Sequence, residues 1–539
     1  MRPFLTDRLA TAALFAVPVL FGLFSLALGQ DANWDLRNYH WYNPYAFLQD
    51  RLLVDLGPAQ IATYYNPLLD LPIYVIGGHL PARVVGFLLG CVHGLNYVLL
   101  YLIAARLLLD APEVVPPVAR RGVAAIVALV GVVGGEHLAL VGTTFNDNLV
   151  SLAILAAAIL ILRRAARLFA DTGAWPGAAE AVPLAAAGAL IGIAVGAKLP
   201  TAPFAVGFCI AFLCVGGGMQ RRFAQAFIFG LGVVAGFILA GAPWMTVLWR
   251  EYANPLFPYF NGFFHSPMSP PDSFRDMRFL PQSVLGFLGR PLTLALDSKY
   301  GGEIVFTDYR LLAAYVLLWA TAGVALLRRR RAPAEGPLLS TSARYVIAAA
   351  AFSYLPWLAI FGIYRYIVTL EMLAPVVAVV LLARWPLPVN VRRAAIVAVL
   401  TVLTVTTQRG DWEHVPWQDG PFVSTKAPRI DAPAQTLAFI TGTNPVSWLV
   451  PSFPPEIPFL RIHGYLNNPQ QGGIGLNEIA RKRIAAHDGP MFILFPSYEL
   501  ASAQSSLEAY GLGLDIASCV PVVSNLDAYA RWCGVTRQN

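Results

Sequence analysis

Charge is what this chain of 539 residues has least of: Asp, Glu, Lys and Arg together make up 13% of it, against roughly a quarter in an average soluble domain. With 57% hydrophobic residues and a mean hydropathy of +0.58, that scarcity excludes an ordinary cytosolic enzyme. Lysine is scarcer still. Of 38 basic residues only Lys198, Lys299, Lys426 and Lys482 are lysines, and many arginines sit in short clusters between apolar blocks. The net charge of +7 therefore serves membrane topology and does not imply nucleic acid. Five cysteines exclude a disulfide-framework fold and offer no Cys/His metal spacing.

What the chain has in abundance is apolar sequence in blocks. Up to Gln408 the blocks run to about 17–25 residues, the length that crosses a bilayer. From Arg409 on the chain turns polar and Pro-rich. This patterning predicts an α-helical polytopic membrane module over 1–408 and a small soluble α/β domain over 409–539. Spans are expected near 9–29, 82–108, 122–141, 148–168, 181–198, 200–215, 223–243, 310–327, 344–363, 364–383 and 391–408. Residues 9–29 follow Arg2 and Arg8 as a signal peptide would. No small-residue cleavage site follows and more spans come later, so this is read as an uncleaved first helix.

Eleven spans place the arginine groups at 106/120/121, 163/164/167, 221/222, 328–331 and 384/392/393 on one face. The positive-inside rule makes that face cytoplasmic. The opposite face receives loops 30–81 and 244–309 and the domain 409–539. The expectation is a bacterial inner-membrane protein with a cytoplasmic N-terminus and a periplasmic C-terminal domain. Strand-like runs at 446–450, 491–495 and 519–523 and a helix-like stretch at 476–486 give that domain its α/β character. Cys519 and Cys533, the only cysteines outside the spans, are expected to form a disulfide on the oxidising side, the alternative being two buried thiols. Cys91, Cys209 and Cys214 read as packing residues within spans.

In a membrane, polar groups held against cost mark function, and four places qualify, all on the non-cytoplasmic face. Loop 1 carries Asp31, Asp35, Arg37 and His40 among Trp34, Tyr39, Trp41, Tyr42 and Tyr45. A carboxylate beside apolar rings is a better proton acceptor, although the two acids also suit a chain exit into water. Thr143 to Asn148 holds Asp147, a candidate site acid or simply the start of a helix. Glu136 and His137 lie about two turns away as further candidates. Residues 192–200 end in Lys198-Leu199-Pro200, where the lysine is either a snorkelling anchor or a phosphate ligand at a Gly-lined helix end. Tyr364-Arg365-Tyr366 offers a guanidinium fork or an interfacial anchor, with Glu371 deeper. Carboxylates and cations around one external cleft suit sugar transfer from a phospholipid carrier: a base takes the acceptor proton while cations stabilise the departing phosphate.

At these residues the chain resembles the GT-C superfamily of polytopic glycosyltransferases, which includes protein O-mannosyltransferases and lipid A aminoarabinose transferases. The shared features are a first-loop acid (Asp31 or Asp35) before an aromatic amphipathic stretch, Asn146-Asp147 opening a span, a Gly-rich span ending in Lys198, and Arg365-Tyr366 opening a late helix. Residues 253–261 also look like the Asn-Pro-x-Phe-Pro stretch of some bacterial members. The resemblance covers about residues 1–408.

It implies a polyprenyl-phosphate sugar donor, inversion at the anomeric carbon and a first-loop acid as general base. Asp35, followed four residues later by Tyr39, matches the family spacing best, and Asp31 is the alternative. Asp147 would orient acceptor or donor, Lys198 and Arg365 would hold the donor phosphate, and Arg37, His40 and Tyr39 would complete the substrate contacts. Loop 1 lacks the Asp-Glu or Glu-x-x-Asp pair of some relatives, so a divalent cation stays open, with His40, His79 and Glu303 as available ligands. The rival readings are a transporter or lipid flippase and a non-catalytic envelope assembly protein. The first expects paired, broken half-repeats, which the sequence does not display. Domain 409–539 is expected to help recognise an unidentified glycan, lipid or protein acceptor.

Overall fold

The computed structural model describes residues 3–170, 175–331, 337–526 and 529–538. Arg2 and the side chains of Arg329 and Arg331, members of the basic groups flanking the apolar blocks, lie outside the described residues. Each expected span is found as helix: α1 (Pro3–Leu28), α2 (Ala82–Leu107), α3 (Arg120–Val132), α4 (Asp147–Arg163), α5 (Ala178–Ala197), α6 (Ala202–Cys214), α7 (Met219–Tyr252), α8 (Arg310–Arg331), α9 (Thr341–Ile360), α10 (Val368–Ala383) and α11 (Val389–Val405). Among the described residues, seven helical stretches are long and apolar enough to cross a membrane, those of α1, α2, α5, α7, α8, α9 and α10. The other four are shorter, at 13 residues for α3 and α6 and 17 for α4 and α11.

Two expected spans are interrupted. The span at 122–141 stops at Val132 and resumes only as the short turn Gly135–Ala139. The cause is Glu371 of α10, whose carboxylate fills the break and accepts from the backbone N–H groups of Glu136 (3.3 Å) and His137 (3.0 Å). A Cβ at Gly134 would collide with that carboxylate. The span at 148–168 ends at Arg163, and Ala165–Leu168 forms a separate turn.

The glycines of α5 have a packing role. A Cβ at Gly188, Gly192 or Gly196 would strike the backbone of α7 around Phe229, Val233 and Phe237, so the two helices meet backbone to backbone. The Gly-lined helix end thus faces α7. Only Lys198 beyond it turns toward the site.

The C-terminal segment builds a six-stranded mixed sheet in the order β3-β7-β8-β6-β4-β5. Its strands are β3 (Thr425–Lys426), β4 (Leu437–Ile440), β5 (Phe459–Arg461), β6 (Met491–Pro496), β7 (Leu512–Ser524) and β8 (Ala530–Arg537). Strands β5, β4 and β6 run parallel, β8 runs antiparallel to β6, and β7 runs antiparallel to β8. The helix expected at 476–486 is α12 (Gly475–Ala485). The run at 446–450 is not a strand: Ser447–Ser452 forms a 3₁₀ turn containing Pro451, and its apolar residues pack onto loop 1, to which Ser447 Oγ donates at Asn38 O. Cys519 of β7 and Cys533 of β8 are bonded to each other.

Loop 1 is clamped onto this sheet domain. β1 (Gln30–Asp31) pairs with β2 (His414–Val415), the chain just past α11. The buried pair Arg51–Asp55 ties into the segment before β5: Arg51 donates to Ile457 O at 2.6 Å and Asp55 accepts from Phe459 N at 2.8 Å. A shared apolar core joins Leu36, Tyr42 and Tyr45 to Phe422, Trp448 and Trp532.

Candidate active site

Four helix ends and one loop converge on a single cluster. Asp35 sits at the start of one π-helical turn, Leu36–His40, directly after β1. Asp147 is the first residue of α4, Lys198 follows the last residue of α5, and Arg365 lies in the 3₁₀ turn Tyr364–Ile367 that leads into α10. That last turn is set by Gly362, whose φ of +67° allows the chain to pass under the backbone of Phe279.

Arg365 is the hub. Its Nη1 donates to Asp35 Oδ2 at 3.0 Å and stands 3.8 Å from Asp147 Oδ2, and its Nε donates to Glu303 Oε2 at 2.6 Å. Lys198 Nζ lies 2.8 Å from Asp147 Oδ1. Three carboxylates thus face two cations. Phe145, Tyr366 and Trp412 hold the guanidinium between rings, with centroids at 4.6, 5.2 and 5.6 Å, and Lys198 Nζ lies 5.6 Å from the Tyr366 ring.

The cluster leaves donors and acceptors open. No described hydrogen bond uses Asp35 Oδ1 or Arg365 Nη2, and the described ion pairs of Lys198 go to Asp147 alone. Asp147 does not cap its own helix, because its carboxylate is turned to Lys198. Tyrosines form the wall. Tyr39 Oη donates to Asp35 Oδ2 at 3.3 Å, Tyr39 meets Tyr65 edge-on at 5.1 Å, and the hydroxyls of Tyr65 and Tyr259 are 2.5 Å apart. Burial raises all three phenols well above their usual range, Tyr259 to about 12, so they remain protonated donors.

Asp31, the alternative base, is placed differently. Its two oxygens accept from Asn33 N (3.1 Å), from Asn33 Nδ2 (2.7 and 2.9 Å), from Thr144 N (2.7 Å) and from Thr144 Oγ1 (2.8 Å). It is a buried brace joining loop 1 to the turn before α4. Arg37 and His40 are not brought to the cluster through their side-chain nitrogens. Arg37 pairs with Glu413 just beyond α11. His40 Nδ1 is 2.7 Å from Asp70 Oδ1, which also accepts from Asn146 Nδ2 at 2.8 Å. His79 Nδ1 bonds Val75 O at an exposed helix end, and Glu303 bonds Arg365, so the three residues considered as metal ligands do not meet. Among the described residues no group of three or more His, Cys, Asp or Glu is arranged to hold a metal.

Nothing in the sequence singles out Tyr65 or Trp412, and Glu303 reads there only as an available metal ligand. Tyr259 sat inside the 253–261 stretch that was matched as a motif, without a role of its own. No local pattern marks these residues; their importance comes from tertiary proximity.

No protein-family model matches the chain, and no curated protein matches it. A solved structure is similar. It is the crystal structure of ArnT from Cupriavidus metallidurans bound to undecaprenyl phosphate, with a TM-score of 0.45, 13% sequence identity and coverage of 97% of each chain.

Proposed function

We propose that this chain is a polytopic membrane glycosyltransferase of the GT-C type. It moves a sugar from a polyprenyl-phosphate carrier to an acceptor hydroxyl on the outer face of a bacterial inner membrane. The observation that carries the reading is the buried cluster at the helix ends, where a carboxylate with a free oxygen, Asp35, stands beside two incompletely engaged cations, Arg365 and Lys198.

In this reading Asp35 Oδ1 takes the proton of the acceptor hydroxyl as its oxygen forms a bond to the anomeric carbon. The bond from that carbon to the phosphate oxygen breaks, and its electron pair leaves on polyprenyl phosphate. Lys198 Nζ and Arg365 Nη2 stabilise the charge that develops on the phosphate. Asp147 holds the lysine in place and Glu303 fixes the guanidinium. Attack opposite the leaving group inverts the anomeric carbon. The tyrosine wall supplies flat apolar surface and hydroxyl donors suited to a pyranose or furanose ring. A lipid carrier accounts for placing this chemistry where apolar helices end.

The test is to incubate the purified protein in lipid nanodiscs with a labelled polyprenyl-phosphate sugar and a periplasmic extract. Release of free polyprenyl phosphate with label transferred to an acceptor is expected. Movement of intact donor across vesicles without cleavage would make the chain a flippase and end the proposal.

A further inference from the structure

The sheet domain carries a second cluster of incompletely satisfied polar groups. Because β4, β5 and β6 are parallel, their carboxyl ends lie on one edge, the edge at which open α/β sheets bind ligands. Three loops meet there. Arg461, the last residue of β5, is fully buried and donates from Nη1 to Gly442 O after β4 at 2.6 Å and from Nε to Pro58 O at 2.9 Å. Glu499, after β6, accepts from Asn444 N at 3.2 Å and from the Asn444 side chain. Gly442, at φ +89°, allows this approach, since a Cβ there would strike Glu499.

Among the described residues, several buried atoms at this edge have no hydrogen-bond partner: Arg461 Nη2, Glu499 Oε2 and Nδ1 of the half-buried His463. Burial lowers Arg461 to about 9 and also lowers His463, so the domain keeps a costly cation without a carboxylate in ion-pair contact. Two large aromatics stand at the rim, with Tyr465 59% and Tyr498 72% exposed. Orphaned polar atoms beneath exposed flat rings form the pattern that grips a saccharide: hydroxyls bond inward and a ring face stacks outward.

The edge is wired to the cluster at the helix ends. Gln60, a buried loop-1 residue held at φ +57°, donates to Thr443 O at 2.8 Å and accepts from Tyr465 N at 3.1 Å. That is a strained backbone fixed by two of the three loops. Five residues on, Tyr65 lies in the wall beside Asp35.

We propose that the carboxyl edge of β4, β5 and β6 is an acceptor subsite that binds the saccharide part of a glycan. In it Arg461, His463 and Glu499 take hydroxyl groups, and Tyr465 and Tyr498 stack on the sugar rings. As an acceptor site it rests on the transferase reading; as a saccharide site it does not.

The experiment applies full-length protein in detergent to an array of bacterial surface oligosaccharides. The wild type should retain a subset of them. The Tyr465→Ala/Tyr498→Ala variant, altered only at exposed rings, should lose about tenfold or more in affinity, as should His463→Ala. Asp35→Asn should bind as the wild type does. In the transfer assay the double variant should raise the acceptor KM about tenfold or more. No retention by the wild type, or equal retention by the tyrosine variant, overturns the subsite. Tyrosine-dependent retention by a protein that cleaves no donor would uphold the subsite and remove the transferase reading alone.

Discussion

Arg365 Nη1 lies 3.0 Å from Asp35 Oδ2, a contact between residues 330 positions apart that joins the first external loop to a helix near the end of the membrane module. The guanidinium keeps the carboxylate oriented while Oδ1 stays open. A base in this setting contributes about 10²–10⁴-fold to the rate. Asp35→Asn should therefore lower transfer by at least about 10²-fold. Its melting temperature in detergent should hold, because Glu303 still engages Arg365. Transfer within severalfold of wild type would take the base role away from Asp35.

Lys198 and Asp147 form the other half of the site, 2.8 Å apart, with side chains 14% and 3% exposed. Removing one member of a buried ion pair strands the other at a cost of about 3–5 kcal/mol. Lys198→Ala should fall near the lower end, since Arg365 stands 3.8 Å from the same carboxylate. The double variant Lys198→Ala/Asp147→Asn should recover much of that stability without recovering donor affinity. Thermal unfolding and the donor KM measured on both proteins separate the two effects. A donor KM unmoved in either variant would show that the ammonium does not touch the phosphate.

How much of this was legible follows from the distance over which each signal acts. The apolar blocks are local, so every expected span appears as a helix. The break after Val132 depends on a Glu371 carboxylate more than two hundred positions away, and its local trace is only the pair Gly134-Gly135. Asp35, Asp147, Lys198 and Arg365 stood out because an ionisable group beside an apolar block is rare. The partners that set their geometry, Glu303, Tyr65 and Trp412, belong to ordinary loops. Arg37 and His40 fall the other way: their neighbourhood in sequence suggests the site, yet Glu413 and Asp70 claim their side-chain nitrogens. Val446 to Val450 has a strand's composition, but that composition serves burial against loop 1 equally well.

Asp31 separates a structural acid from the proposed base, Asp35. Both of its oxygens are occupied by donors from Asn33 and Thr144. Asp31→Asn would turn an NH2 group toward some of those donors and cost about 2–3 kcal/mol. The expected result is a lower melting temperature and lower yield, with the donor KM of the surviving folded protein unchanged. A large fall in kcat at an unchanged melting temperature would instead return Asp31 to the reaction.

Trp412 links the two parts of the molecule at the site itself. It lies in the segment that leaves α11 for the sheet domain, donates from Nε1 to Glu136 Oε1 at 3.1 Å, and places its ring 4.5 Å from Phe145 and 5.6 Å from the Arg365 guanidinium. The indole therefore closes the aromatic sandwich around the hub, and its bond to Glu136 fixes the angle of the ring. Cation–π contacts of this kind are worth about 1–2 kcal/mol when desolvated. Trp412→Leu should accordingly lower kcat by roughly tenfold, whereas Trp412→Phe, which keeps a ring but loses the bond to Glu136, should retain part of that factor. Transfer kinetics on the two variants, with circular dichroism to verify folding, provide the check. Equal losses in the two would assign the effect to Glu136 left unpaired, not to the ring over Arg365.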